Sequence, residues 1–96
     1  MRHAYLVCYD IRDDKRLRKV AKVMLGFGDR VQYSVFRCMM GDKERAVLRT
    51  KVEHVMSLSE DHVLIVDLGP EEGRGGKALL SIGRPLPEVE QLAYIL

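Results

Sequence analysis

The 96-residue chain has no tryptophan and no asparagine, and only two cysteines, three prolines and two phenylalanines. Cys8 and Cys38 lie far apart, form no C-x-x-C pair and have no histidine at metal spacing, which excludes a zinc ribbon or a disulfide scaffold. Cys8 falls inside an apolar run, where a small buried thiol is expected. The lack of asparagine removes a residue that deamidates when hot. No apolar stretch is long enough to span a bilayer, and no secretory leader precedes Ala4, so a cytoplasmic protein with no membrane association is expected. The formal net charge is only +2, so any affinity for polyanions must come from where the cations lie. His3, His54 and His62 are scattered, and no Ser-His-Asp order supports nucleophilic catalysis. Gly73-Arg74-Gly75-Gly76-Lys77-Ala78 is not a Walker loop, because Ala78 replaces Ser/Thr and the first glycine is missing. It reads as a hairpin turn from which Arg74 and Lys77 can reach a nucleic-acid backbone.

What is present is a set of elements sized for one domain over residues 1–96. Ala4 to Tyr9 is apolar and β-favouring and predicts a buried first strand. Asp13 or Asp14 caps a helix running to about Phe27, with Leu17, Val20, Ala21, Met24 and Phe27 inward and Lys15, Arg16, Arg18, Lys19 and Lys22 outward. Gly26 and Gly28 end it. From Arg30 to Met40 the apolar phase changes near Tyr33 to Phe36, which predicts a short second strand and a longer third. Gly41 breaks the run. Asp42 caps a second helix to about Leu58, with Leu48, Val52, Val55 and Met56 inward. His62 to Leu68 is the fourth strand. The order βαββαβ predicts a ferredoxin-like α+β fold, an antiparallel sheet with its helices on one face. Ala78 to Ile82 reads as a further short strand. Leu92 to Leu96 closes an apolar tail that needs cover, so residues from about 78 to 96 are expected to pack on a partner subunit in a homodimer.

Asp10, at the tip of the first strand, stands before Arg12 and a basic helix. A carboxylate there can hold Mg²⁺, and the cations beside it can hold phosphate. The combination points to nucleic-acid chemistry.

Three pieces in fixed order carry a resemblance to a known family: Tyr9-Asp10-Ile11, then Asp14-Lys15-Arg16-Leu17-Arg18-Lys19-Val20, then Arg30-Val31-Gln32-Tyr33-Ser34-Val35-Phe36. Over roughly residues 4 to 70 the chain resembles the CRISPR-associated protein 2 family. The resemblance implies a ferredoxin-like homodimer in CRISPR adaptation, acting as a metal-dependent endonuclease on RNA or DNA with Mg²⁺ or Mn²⁺. It alternatively implies a scaffold on which the CRISPR integrase subunit holds new spacer DNA. It places the metal-binding and catalytic acid at Asp10, and nucleic-acid-binding or activity-supporting roles at Tyr9, Arg16, Arg18, Arg30 and Phe36. Leu17 departs from the pattern, standing where a basic residue is common. One aspartate is a poor Mg²⁺ site, since the ion takes six oxygens. An isologous interface answers this by bringing two copies of Asp10 together.

Overall fold

In the computed structural model, which describes residues 1–84, strand β1 (His3–Asp10) runs through the middle of the sheet. It is followed by α1 (Asp14–Leu25), β2 (Asp29–Gln32), β3 (Val35–Met40), α2 (Asp42–Val55) and β4 (His62–Pro70). A single 3₁₀ turn, Arg74–Lys77, comes last. The sheet order is β2-β3-β1-β4 with every neighbour antiparallel, the ferredoxin-like arrangement expected. Residues 85–96, which include the expected apolar close of the tail, lie outside the described residues.

The two faces of β1 differ in kind. Tyr5, Val7 and Tyr9 point to the helices and join Val20 and Met24 of α1, Phe36, Cys38 and Met40 of β3, and Leu48 and Val52 of α2 in the core. Leu6 and Cys8 point the other way, toward Val31 and Val35, with no helix of the described residues over them. Their partners on β4, Val66 and Leu64, carry the same face to the sheet edge. Period-two alternation then puts Asp10 on this open face.

Helix α1 begins where Asp13 accepts a 2.9 Å bond from the Arg16 amide, a side-chain cap on the first turn. It stops two residues short of the expected Phe27, because Gly26 turns the chain and the Phe27 amide bonds back to Met24. The second helix also differs from expectation at both ends. Gly41, not Asp42, is the N-cap residue, and its amide donates to Glu44 at 3.0 Å. The helix ends at Val55, short of Leu58. The Ser57 amide there donates to the Asp61 side chain at 2.8 Å, and that bond bends the chain into a turn.

The phase change near Tyr33 is a two-residue hairpin turn with a register shift between Arg30 and Gln32. An extra residue on one strand flips which side chains face the core, so the sequence pattern switches phase there. Close backbone approach requires glycine at three described positions. A Cβ at Gly28 would collide with the Arg37 carbonyl oxygen, one at Gly75 with that of Gly69, and one at Gly76 with that of Glu71. The glycine-rich segment therefore packs its own backbone against the end of β4. It makes no open hairpin loop.

One expected element is absent from the described residues. Residues 78–82 form no strand. Leu79 is half-buried beside Leu6, Cys8, Val31 and Val35, while Leu80 and Ile82 are 86% and 89% exposed. Alternation of apolar residues is the pattern of a strand, but a strand also needs a pairing partner, and among the described residues this segment pairs with neither edge of the sheet.

Candidate active site and the family

At the carboxyl end of β1 the chain passes from the sheet to α1, and Asp10 is the last residue of the ladder, paired with His62. Its side chain is 69% exposed, with the Arg12 guanidinium 3.8 Å away. That contact between two exposed groups leaves both free to move to a ligand. By donor type Asp10 fits a hard divalent cation, which prefers carboxylate oxygen and water. Among the described residues one chain supplies a single carboxylate here, and no three His, Cys, Asp or Glu side chains converge on a metal position.

The other expected site residues fall into separate groups. Tyr9, Arg30 and Phe36 are together, but on the helix side of the sheet, across from Asp10. The Tyr9 and Phe36 rings stack at 6.2 Å between centroids, and the Arg30 guanidinium lies 5.2 Å above Phe36 and 5.9 Å above the exposed Tyr33. Phe36 is fully buried and Tyr9 nearly so. The Tyr9 hydroxyl and Arg30 Nε are buried without hydrogen-bond partners among the described residues. Burial pushes the Tyr9 phenol up, and the neighbouring Arg30 charge acts in the opposite sense. This cluster backs the strand that carries Asp10, and its Tyr9 and Phe36 rings are shielded from solvent while the Tyr33 ring is exposed. Arg18 is exposed on α1 with Lys15, Lys19 and Lys22, forming a basic outer face. Burial pushes the Cys38 thiol up to about 12, which leaves it protonated and unreactive.

Arg16 is placed differently from a free phosphate ligand. Its Nε donates to Asp61 at 2.8 Å, and its Nη2 reaches both Asp61 at 3.2 Å and Glu60 at 3.1 Å. Asp61 is the residue that sequence reasoning missed. It is the one buried charged residue among the described residues. Besides Arg16 it accepts the Arg12 amide at 2.9 Å and the Ser57 amide at 2.8 Å. The sequence offered one signal, an aspartate four residues after the serine that follows α2, at the entry to an apolar strand.

The Arg16 hydrogen bonds, helped by the Arg12 and Ser57 amides and opposed by burial, hold the Asp61 carboxyl well below the usual carboxylate range. The folded form is thus the weaker proton binder, so its stabilisation is complete above about pH 4 and is lost as pH falls toward the folded value. Asp67 behaves in the same sense through its bond to His3 and to the Gly69 amide. Urea midpoints measured between about pH 5 and pH 2 are expected to fall steeply for wild type and less steeply for Asp61→Asn, with Asp67 supplying the remaining slope.

Comparison with known proteins adds the lineage. Residues 2–74 match the family model described as CRISPR associated protein Cas2. The chain belongs to the Cas2 family. It is 42% identical over 94 residues to the CRISPR-associated endoribonuclease Cas2 1 of Rhodospirillum rubrum, covering 98% of this chain and 91% of that one. It is 40% identical to the CRISPR-associated endoribonuclease Cas2 of Geobacter sulfurreducens, with both chains covered in full. Among solved structures, the hypothetical protein TT1823 from Thermus thermophilus superposes with a TM-score of 0.77 at 31% identity, covering 92% of this chain and all of that one. No helix among the described residues is long and apolar enough to cross a membrane.

Proposed function

We propose that this Cas2-family chain is a metal-dependent endonuclease that works as a homodimer, with Asp10 of each subunit contributing to one shared site. The observation that carries the reading is the position of Asp10. It is an exposed carboxylate at the rim of an open sheet face formed by Leu6, Cys8, Val31, Val35, Leu64 and Val66. That face borders a cleft of about 310 Å³ roofed only in part by residues 79–82. Packing two such faces about a two-fold axis buries them and draws the two Asp10 side chains toward each other. Relatives named endoribonucleases support the class of reaction.

In this reading Asp10 is the oxygen ligand and Arg12 is the mobile cation that neutralises a phosphate oxygen beside it. The basic outer face of α1 attracts the backbone of the nucleic acid and sets its approach. A divalent ion bound by the paired carboxylates supplies charge neutralisation at the scissile phosphate and a more acidic water. Tyr9 and Phe36 act from behind, by stiffening β1. The test is cleavage of labelled single- and double-stranded RNA and DNA by the purified dimer, with Mg²⁺, Mn²⁺ or EDTA. Cleavage of one substrate class with either metal and none in EDTA is expected. Absence of cleavage on every substrate sinks the nuclease reading.

A second reading, a DNA-holding scaffold for the CRISPR integrase, draws on the same exposed Lys15, Arg18, Lys19 and Lys22. It predicts duplex binding that weakens steeply with salt and survives loss of Asp10.

A further inference from the structure

We infer that Asp61, locked by Arg16, is the positioning residue that fixes the backbone beyond Asp10 and so sets the direction of the Asp10 carboxylate; the catalytic half of this inference rests on the nuclease reading above. The β1–β4 ladder closes with the pair Asp10 and His62. Beyond that pair the strands diverge, β1 toward α1 and β4 back toward α2. The Asp61 side chain bridges the gap. One oxygen accepts the Arg12 amide, which adds a side-chain rung two residues past Asp10. The other accepts the Ser57 amide and Arg16 Nε. Three segments therefore meet on one carboxylate: the exit of β1, the first turn of α1, and the turn between α2 and β4.

The bonds are made to a charged acceptor whose side chain is wholly shielded from water, where such bonds are strong and geometrically strict. Among the described residues the exposed Asp10 side chain has no comparable restraint of its own, its one ionic neighbour there being the equally exposed Arg12. Its direction is therefore inherited from the backbone on either side. On one side this is the β1 ladder, and on the other the Asp61 rung. Arg16 acts one step further out: without its charge, Asp61 would be a buried carboxylate held by two amides alone. The Arg16 guanidinium is engaged with Asp61 and Glu60. The supporting role that the resemblance assigns to Arg16 is thus exercised through Asp61 and not on phosphate.

Two readouts test the inference, on the full-length dimer and on the variants Asp61→Ala and Asp61→Asn. The first is amide hydrogen exchange, which does not depend on cleavage. In Asp61→Ala the Arg12 amide is expected to exchange about 10-fold faster or more, while core amides of β1 and β3 keep their wild-type rates. Asp61→Asn retains an acceptor and is expected to give a smaller rise, and it serves as the test if the alanine variant does not fold. Unchanged Arg12 protection in a folded variant overturns the inference. The second readout is cleavage. A fall in kcat of about 10- to 100-fold with KM held within about twofold is expected, since the substrate still binds but meets a misdirected carboxylate. Loss confined to KM, or an unchanged kcat despite a loosened Arg12 amide, overturns the link to Asp10. Wild type that cleaves nothing refutes the nuclease reading, and the exchange result then decides the positioning claim by itself.

Discussion

If the proposed nuclease reading holds, Asp10→Ala is expected to lower metal-dependent cleavage on the order of 100-fold or more while leaving the fold intact, because it removes the carboxylate that would hold the divalent ion at the reacting phosphate. The side chain is 69% exposed and its one ionic contact among the described residues is the 3.8 Å approach of Arg12, so little packing is lost. Exposed positions of this kind change stability by about 0.5 kcal/mol or less. The dimer gives a sharper test. Two carboxylates drawn together without a cation repel each other. In EDTA the alanine variant is therefore expected to dimerise at least as tightly as wild type, and added Mg²⁺ is expected to tighten wild type alone. Analytical ultracentrifugation with and without metal measures both effects. A variant that cleaves like wild type removes Asp10 from the chemistry, and a metal-independent dimer in both proteins removes the shared site.

The fold was legible because each element has a local signal. The alternation around Tyr5, Val7 and Tyr9, the stripe of Val20 and Met24, and the Asp13 cap all depend on neighbours within a turn or two. Even the bulge between Arg30 and Gln32 left its mark as a change of phase. Asp10 stood out as a candidate for a similar reason, being a charge at the end of an apolar strand. Asp61 did not, because its main partner lies 45 residues away and the contact exists only once α1 packs beside the turn after α2. The same distance hid the true surroundings of Arg16, which reads as one more cation in a basic helix. Residues 78–82 show the opposite failure: a local pattern with no local partner. Their apolar residues lie along the open face, where the proposed dimer would cover them.

Phe36→Ala is expected to destabilise the chain by about 3–5 kcal/mol, the range for emptying an aromatic site in a packed core. Phe36 is fully buried, stacks on Tyr9 and lies under the Arg30 guanidinium, so its removal strips contacts from both. For a domain of this size each kcal/mol moves Tm by about 4–8 °C, which makes the expected fall roughly 12–40 °C. Against a total stability of about 5–15 kcal/mol, such a variant is partly unfolded under ordinary assay conditions. Its lost activity alone therefore says nothing about catalysis. Phe36→Leu refills much of the volume and separates the two roles. In that variant thermal unfolding is expected to shift by a smaller amount, and any nucleic-acid affinity measured well below its Tm is expected to match wild type. A buried ring cannot stack on a base without first leaving the core. Weaker nucleic-acid binding by folded Phe36→Leu would mean that the ring does leave, and would move it from the support of β1 to the proposed binding surface.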